Sequence, residues 1–188
     1  LVYAGGPLII KYLDFSKSIT KPKETQVPNL ESRIINAVLS ENNQLFVGTA
    51  RDGVFVFSAV PLSGSGDNMV FEMSQIGVRN GLPESDQYSV FRFHNQTLVS
   101  AQNGLYRIVQ KDYHYSVIPF DREFFTFYNK SQFINILKED NAGNMSFQTN
   151  SKLTGHKSLY YVKWSGNKKE FISSPFMAFP DLEFYSIT

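Results

Sequence analysis

The sequence contains no cysteine, which excludes disulfide bonds, thiolate metal sites and cysteine nucleophiles. Opposite charges nearly cancel, with 18 Lys and Arg against 17 Asp and Glu, so no basic surface for nucleic acid or for an anionic membrane is expected. The three histidines, His94, His114 and His156, form no paired ligand spacing, so we expect no metal site. No apolar run approaches the ~20 residues that span a bilayer.

Aromatic residues are abundant instead. They make up 15% of the chain, with 17 Phe and 10 Tyr, and hydrophobic residues together reach 42%. Phe and Tyr favour strands over helices, and this amount of apolar side chain suffices for a substantial core. The 188 residues suggest one domain or a large part of one. Leu1 to Gly6 read as the middle of a strand and its turn, so we expect the chain to begin inside a larger protein.

One pattern of short apolar runs and polar turns occurs three times, beginning near Ile34, Tyr88 and Phe133. Gly48 and Ser100 hold the same place in the first two copies and are 52 residues apart. Gln148 holds that place in the third copy, a further 48 residues on. Propeller blades repeat at roughly 40–50 residues and contain four strands each. The apolar positions alternate or form short runs, with no helical stripe, so helical repeats are excluded.

The clearest repeat predicts four strands, A to D, at about 33–39, 44–49, 53–60 and 69–76. The Gly64-Ser65-Gly66 stretch before strand D reads as a flexible loop and lacks the Lys of a phosphate loop. Asp52-Gly53 and Asn103-Gly104 are predicted to form tight hairpin turns, because Gly accepts a positive φ. Residues 140–144 predict a further turn, in which Asp140 caps its own loop rather than pairing with Glu139 in catalysis.

These patterns predict an all-β fold, a β-propeller of four-stranded antiparallel blades with about four blades, as a segment of a larger propeller. A closed ring of four remains the alternative, because Leu182 to Ile187 resemble a strand A that could complete the first blade. The expected units are a partial blade of strands B to D at 1–32, blades at 33–84, 85–130 and 131–178, and strand A of a further or closing blade at 179–188.

Three stretches carry a resemblance to a known family. Leu45 to Val54 are similar to the "LWVGT-x-x-GL" core of two-component regulator propeller repeats. Asn80-Gly81-Leu82-Pro83 resembles the "NGLP" segment of that family, and Ile136 to Asn144 resemble its "I-x-ED-x-x-GN" element. The resemblance covers most of the chain. The sequence departs from the family where the usual Trp of strand B is replaced, by Phe46, Leu98 and Met145.

The resemblance implies a place and a role. Such propellers form the extracytoplasmic, periplasmic or cell-surface sensor of bacterial hybrid histidine kinases, often responsive to carbohydrates. It implies further blades and a downstream immunoglobulin-like module as partners. It implies a membrane contact only through segments beyond this chain. We expect no cofactor. A non-catalytic scaffold or adaptor of a cell-surface or secretion-system protein is the alternative. A propeller enzyme is disfavoured, because the sequence shows no convergent His and carboxylate groups.

In a propeller, the D–A and B–C connections emerge on one face, which is the usual binding face. The candidate ligand-binding residues there are Arg51, Asp52, Arg79, Asn80, Gln102 and Asn103, with Arg122 and Lys152 as further polar groups. Arg suits bidentate contacts and Asn suits sugar hydroxyls. For each residue, simple solvation at the surface is the competing explanation. The aromatic run 124–128 is either a packing strand or a loop that presents rings to a ligand.

Overall fold

The computed structural model describes twelve stretches of the chain, which are residues 2–6, 9–14, 23–28, 30–40, 42, 44–61, 69–102, 104–112, 114–120, 132–151, 154–165 and 168–173. These residues form antiparallel sheets and a short 3-10 helix, Val78–Asn80. Within them, no helix has the length and apolar character needed to cross a membrane.

The first strands form a three-stranded antiparallel sheet, here called the N-terminal sheet. Its strands follow chain order and are β1 (Val2–Gly6), β2 (Ile9–Asp14) and β3 (Lys23–Gln26). Val27 and Leu30 follow β3 and are buried at 1% and 7% exposure. They pack in one apolar cluster with Phe57, which joins this part of the chain to the next sheet.

Three four-stranded antiparallel sheets follow, each with its strands adjacent in chain order. Sheet I consists of β4 (Ile34–Leu39), β5 (Gln44–Thr49), β6 (Val54–Pro61) and β7 (Met69–Ile76). Sheet II consists of β8 (Ser89–Phe93), β9 (Gln96–Ala101), β10 (Gly104–Lys111) and β11 (His114–Pro119). Sheet III consists of β12 (Gln132–Glu139), β13 (Met145–Ser151), β14 (Lys157–Ser165) and β15 (Lys168–Ser173).

The sheets are packed face to face through alternating side chains. In β5, Leu45 and Val47 join the cluster shared with Val27, whereas Phe46 joins a second cluster with Val90 of sheet II. Sheet II in turn packs its other face, with Leu98, against sheet III. Side chains on successive residues of a strand point to opposite faces, so a continuous apolar run such as β5 fits a strand covered on both sides.

Neighbouring sheets contact each other through their first strands. Strand β4 contacts β8, and β8 contacts β12. Gly48 lies directly against the backbone of Tyr88, and a Cβ atom there would overlap the Tyr88 carbonyl oxygen. At the equivalent place in sheet II, the Ser100 hydroxyl accepts a hydrogen bond from the Ile134 N–H at 3.2 Å. Three successive four-stranded sheets in this arrangement are consistent with propeller-like blades.

The strands predicted for the clearest repeat are confirmed as β4 to β7, each within one residue of the expected bounds. The all-β fold is confirmed for the described residues, which do not show a closed ring of sheets. Leu182 to Ile187, the expected closing strand, and the aromatic run 124–128 lie outside the described residues, as does the 64–66 loop.

Of the two predicted tight turns, the first is wider than expected and the second is tight but shifted by one residue. Gly48 pairs with Val54, so the connection consists of residues 50–53 and is wider than a two-residue turn, with positive φ at Arg51 and Gly53, both 79°. In sheet II, Ala101 pairs with Gly104, so Gly104 is the first residue of β10 rather than part of the turn. Strands β8 and β9 are joined by a two-residue turn at His94-Asn95, where both residues have positive φ, at 45° and 58°. The hairpin dipeptides therefore indicated where the chain turns, but the strand pairing on either side of each turn differs from the prediction.

Candidate functional site

An open cleft of about 520 Å³ lies where connections from sheets I and II meet. The β5–β6 connection contributes Arg51, and the β9–β10 connection contributes Gln102. The segment between β7 and β8 supplies the remaining lining, which is Val78, Glu84, Ser85, Asp86 and Tyr88. Two of the residues expected at a shared face, Arg51 and Gln102, therefore line one cleft.

Ser85 holds this cleft together. Its hydroxyl accepts a hydrogen bond from the Gln102 backbone N–H at 2.9 Å and donates one to the Gln87 carbonyl oxygen at 2.8 Å. The hydroxyl thus ties the β7–β8 segment to the turn between β9 and β10. Gln102 engages Ser85 through its backbone N–H and is also one of the residues that line the cleft.

Tyr88 also holds the segment between β7 and β8 in place. Its phenol oxygen accepts a hydrogen bond from the Ser85 N–H at 2.8 Å and donates to the Pro83 carbonyl oxygen at 3.0 Å. The Tyr88 backbone N–H donates to the Thr49 carbonyl oxygen at 2.9 Å, which ties the segment to sheet I. The segment is therefore bonded to both neighbouring sheets, and its shape is set by them.

The electrostatics of the cleft are mixed. Burial raises the pKa of the Tyr88 phenol, and the carboxylates of Glu84, Asp52 and Asp86 raise it further, while the hydrogen bond from the Ser85 backbone opposes the rise. The phenol therefore stays protonated at neutral pH. Arg51 is the cationic side chain of the lining, which also contains the carboxylates of Glu84 and Asp86. A ligand there would meet both signs of charge at short range.

Asn80 has a structural part in the candidate site. Its side-chain oxygen accepts a hydrogen bond from the Gly77 N–H at 3.0 Å, and its side-chain nitrogen donates to the Tyr115 carbonyl oxygen at 2.9 Å. Gly81 follows with a φ of 90°, and Leu82 is buried at 1% exposure between sheets I and II. The Asn-Gly-Leu-Pro stretch is thus a connector that fixes the 3-10 helix against β11.

The other expected site residues lie in different surroundings. Arg79 is exposed on the 3-10 helix and does not line the cleft. Asp52 is exposed beside Arg51, and its carbonyl oxygen accepts a hydrogen bond from the Gln75 side chain at 2.8 Å. Asn103, Arg122 and Lys152 lie outside the described residues.

Sequence reasoning missed Glu84, Ser85, Asp86 and Tyr88, which make up most of the lining. The sequence held a local signal for Ser85, because a serine in a turn often bonds through its hydroxyl to the backbone two residues later. The Ser85 hydroxyl does so with the Gln87 backbone. The partner in the next turn, Gln102, is 17 residues away and no local pattern indicates it.

The Tyr88 hydroxyl is engaged within the protein. Both hydrogen-bonding directions of the Tyr88 hydroxyl are used by Ser85 and Pro83, so this group has no proton free to transfer. The three histidines of the described residues lie elsewhere, with His94 in a turn, His114 at the start of β11 and His156 in the β13–β14 connection. Among the residues that the structure describes, no three or more His, Asp or Glu side chains are placed to hold a metal ion.

The expected turn role of Asp140 is confirmed. Its side-chain oxygen accepts hydrogen bonds from the backbone N–H groups of Ala142 at 2.8 Å and Asn144 at 2.9 Å.

Comparison of the chain with protein-family models, with curated proteins and with solved structures found no match.

Proposed function

We propose that the chain is a run of β-propeller blades that serves as the ligand-sensing, extracytoplasmic part of a bacterial two-component signalling protein of the hybrid histidine kinase type. The repeat of 52 and 48 residues supports the propeller, because it coincides with three successive four-stranded antiparallel sheets. The ligand is a small polar molecule such as an oligosaccharide. The segment is non-catalytic and needs no cofactor.

One observation carries the proposal. The β5–β6, β7–β8 and β9–β10 connections come from two sheets and line a single cleft. The Ser85 hydroxyl ties the β7–β8 connection to the β9–β10 connection, and the Tyr88 backbone N–H ties it to Thr49 at the end of β5. Binding sites are concave and place a few fixed polar groups around a ligand, and this cleft has that form.

A ligand in this cleft would act by bridging sheets. Arg51 belongs to sheet I and Gln102 to sheet II, so a molecule that contacts both favours one relative placement of the two sheets. A ligand shifts an equilibrium between two arrangements by its difference in affinity for them. In the proposed sensor, further blades and a downstream immunoglobulin-like module receive that shift and transmit it toward the membrane.

A scaffold or adaptor protein of the cell surface or secretion machinery is the second candidate. Strand β7 lies at the edge of sheet I and exposes Val70 at 43% and Met73 at 49%. An edge strand with apolar side chains offers both backbone groups and contact area to a protein partner. In that case the partner would be a protein and would engage β7 rather than the cleft.

A thermal-shift screen with neutral and acidic oligosaccharides tests the sensor proposal, because a ligand that binds only the folded state raises its melting temperature. The test variants are Arg51→Gln and Gln102→Ala, which remove side chains of the cleft and leave the Gln102 backbone hydrogen bond to Ser85 in place. Lys163→Gln, at an exposed position of β14, is the matched control for loss of a positive charge.

The expected result is a saturable rise in melting temperature that both cleft variants reduce and the Lys163 variant retains. A shift that is equal in all proteins would place the ligand elsewhere and refute the cleft. No shift across the panel, together with a partner protein whose binding is lost in Met73→Glu, would favour the scaffold.

A further inference from the structure

A second concavity, of about 430 Å³, lies between sheets I and II at the edge opposite the cleft. Six of its lining residues are Gln44 and Phe46 of β5, Thr97 of β9, Ile108 and Gln110 of β10, and Tyr115 of β11. The turn residues Asn42 and Asn95 lie at its rim and belong to the β4–β5 and β8–β9 connections. In antiparallel sheets these connections lie at the strand ends opposite the β5–β6 and β9–β10 connections. We call this concavity the inter-sheet groove.

The apolar wall of the groove continues the core between sheets I and II. Phe46 and Ile108 belong to one buried cluster. The Tyr115 ring packs edge-on against Phe46, with ring centroids 6.2 Å apart and an angle of 88° between the planes. Alternation along the strands places Gln44 on the face of Phe46 and Gln110 on the face of Ile108. The amide side chains of Gln44 and Gln110 therefore lie on the same faces as the apolar core side chains and extend that surface toward the end of the strands.

The described side chains that face into the groove are uncharged. Among the residues that the structure describes, its lining contains no Asp, Glu or Lys, and Arg107 is the one charged residue. Along β10, Arg107 alternates with Ile108 and shares a face with Leu105, which packs toward sheet III. Arg107 therefore contributes backbone to the groove and directs its side chain to the opposite face of sheet II.

Several hydrogen-bonding groups in the groove are unused. The Gln44 side-chain nitrogen donates to the Tyr115 phenol oxygen at 3.0 Å and to the Ser58 hydroxyl at 3.2 Å. Burial raises the pKa of the Tyr115 phenol, while hydrogen bonds with Gln44 and Ser58 oppose the rise, so this group stays protonated at neutral pH. Among the residues that the structure describes, the side chains of Thr97 and Gln110 have no hydrogen-bond partner.

We propose that the inter-sheet groove is a second binding site, for a neutral polyhydroxylated ligand of one or two sugar rings. Each hydroxyl of such a ligand both donates and accepts, which matches a wall of Gln44, Thr97, Gln110 and the Tyr115 hydroxyl. The volume lies within the range of about 300–1,000 Å³ found for small-molecule sites. Of the described lining residues, none directs a cationic side chain into the groove, so an anionic ligand is disfavoured. This site is independent of the cleft and of the sensor proposal.

Titration of the intact chain with maltose, cellobiose and laminaribiose, followed by amide NMR spectra, tests this proposal. At least one of these probes is expected to shift the resonances of Gln44, Thr97 and Gln110 in a saturable manner. Tyr115→Phe keeps the ring and removes the hydroxyl, and loss of one hydrogen bond predicts about fivefold to tenfold weaker binding. Tyr161→Phe removes a hydroxyl from β14, away from the groove, and is expected to bind as the wild type does.

The site is distinguished from the cleft by Gln102→Ala, which is expected to leave disaccharide binding at the groove unchanged. Three results would overturn the proposal. One is the absence of binding by all three neutral probes at millimolar concentration while the spectrum remains that of a folded protein. Another is unchanged affinity in Tyr115→Phe. The third is binding of a capped glutamine tripeptide in the groove without binding of any sugar.

Discussion

The side-chain amide of Asn36 pairs with the backbone of Val90 as a neighbouring strand would. Its nitrogen donates to the Val90 carbonyl oxygen at 2.8 Å, and its oxygen accepts from the Val90 N–H at 2.8 Å. Asn36 is in β4 and Val90 is in β8, 54 residues along the chain. The pair therefore joins the first strands of sheets I and II, next to the apolar cluster that those sheets share.

Asn36→Ala is expected to lower the free energy of unfolding by about 2–3 kcal/mol, because it removes two hydrogen bonds and leaves both backbone groups of Val90 without a partner. Urea denaturation followed by fluorescence measures the change. Asn42→Ala removes the same amide from an exposed turn and is expected to change stability little. Equal effects of the two variants would show that the pair does not join the sheets.

Gly48→Ala is expected to destabilise the protein by at least about 1–3 kcal/mol, since a Cβ at this place overlaps the Tyr88 carbonyl oxygen and forces the backbones of sheets I and II apart. The control is Gly77→Ala, where a Cβ meets no atom within 4 Å and φ is −140°. Thermal denaturation of the two variants compares them directly. A Gly48 variant as stable as the Gly77 variant would contradict the close approach of β5 to Tyr88.

The Asp140 turn predicts a specific acid sensitivity. Hydrogen bonds from the Asn144 side chain and backbone, and further ones from Tyr161 and the Ala142 backbone, lower the pKa of Asp140 from 3.8 to about 2. A carboxylate with a depressed pKa stabilises the folded state fully above its unfolded value and loses that contribution as pH falls. This part of the stability should therefore be present above pH 3.8 and disappear toward pH 2.

Carbon-detected NMR titration of the Asp140 carboxyl measures its pKa directly. Tyr161→Phe removes the donor at 2.9 Å from the carboxylate and should raise that pKa. Asp140→Asn should flatten the fall in melting temperature between pH 3.8 and about 2. A carboxyl pKa at its ordinary value in the wild type would refute this description of the turn.

His94 connects sheet II to sheet III. Its ring nitrogen Nε2 lies 2.8 Å from the Gly143 carbonyl oxygen, its backbone N–H donates to Glu139 at 2.8 Å, and its ring stacks on Phe93 at 4.0 Å. His94 also has a left-handed φ of 45°, which alanine adopts poorly.

His94→Ala is expected to cost about 1–2 kcal/mol of stability, and His94→Asn less, because Asn tolerates the left-handed backbone. The comparison is His114→Ala, an exposed position at the start of β11, which should be close to neutral. Denaturation curves of the three variants test this order, and equal stability of all three would contradict it.

Much of the fold could be predicted from local pattern. Strand β5 is a short apolar run between polar turns, and its bounds of Gln44–Thr49 follow from that alone. The common place of Gly48, Ser100 and Gln148 indicated the repeat and hence three equivalent sheets. The turn at His94-Asn95 could be placed from its polar pair between two runs.

The candidate site could be predicted only in part. Topology indicated Arg51 and Gln102, because connections at one end of adjacent sheets must lie together. Ser85 and Tyr88 shape the cleft through bonds to Gln102 and Thr49, and such pairings between distant residues leave no periodic trace in the sequence. Asn80 matched a motif, yet its amide serves the 3-10 helix and β11.

We propose that the cleft beside Ser85 binds a ligand that bridges sheets I and II. An amide NMR titration of the intact chain with the oligosaccharides of the thermal-shift panel tests this binding directly. The resonances of Arg51, Ser85 and Gln102 are expected to shift together along one saturation curve, and Gln102→Ala is expected to weaken the binding. Shifts confined to other residues, or no saturable shift with any oligosaccharide of the panel, would contradict it.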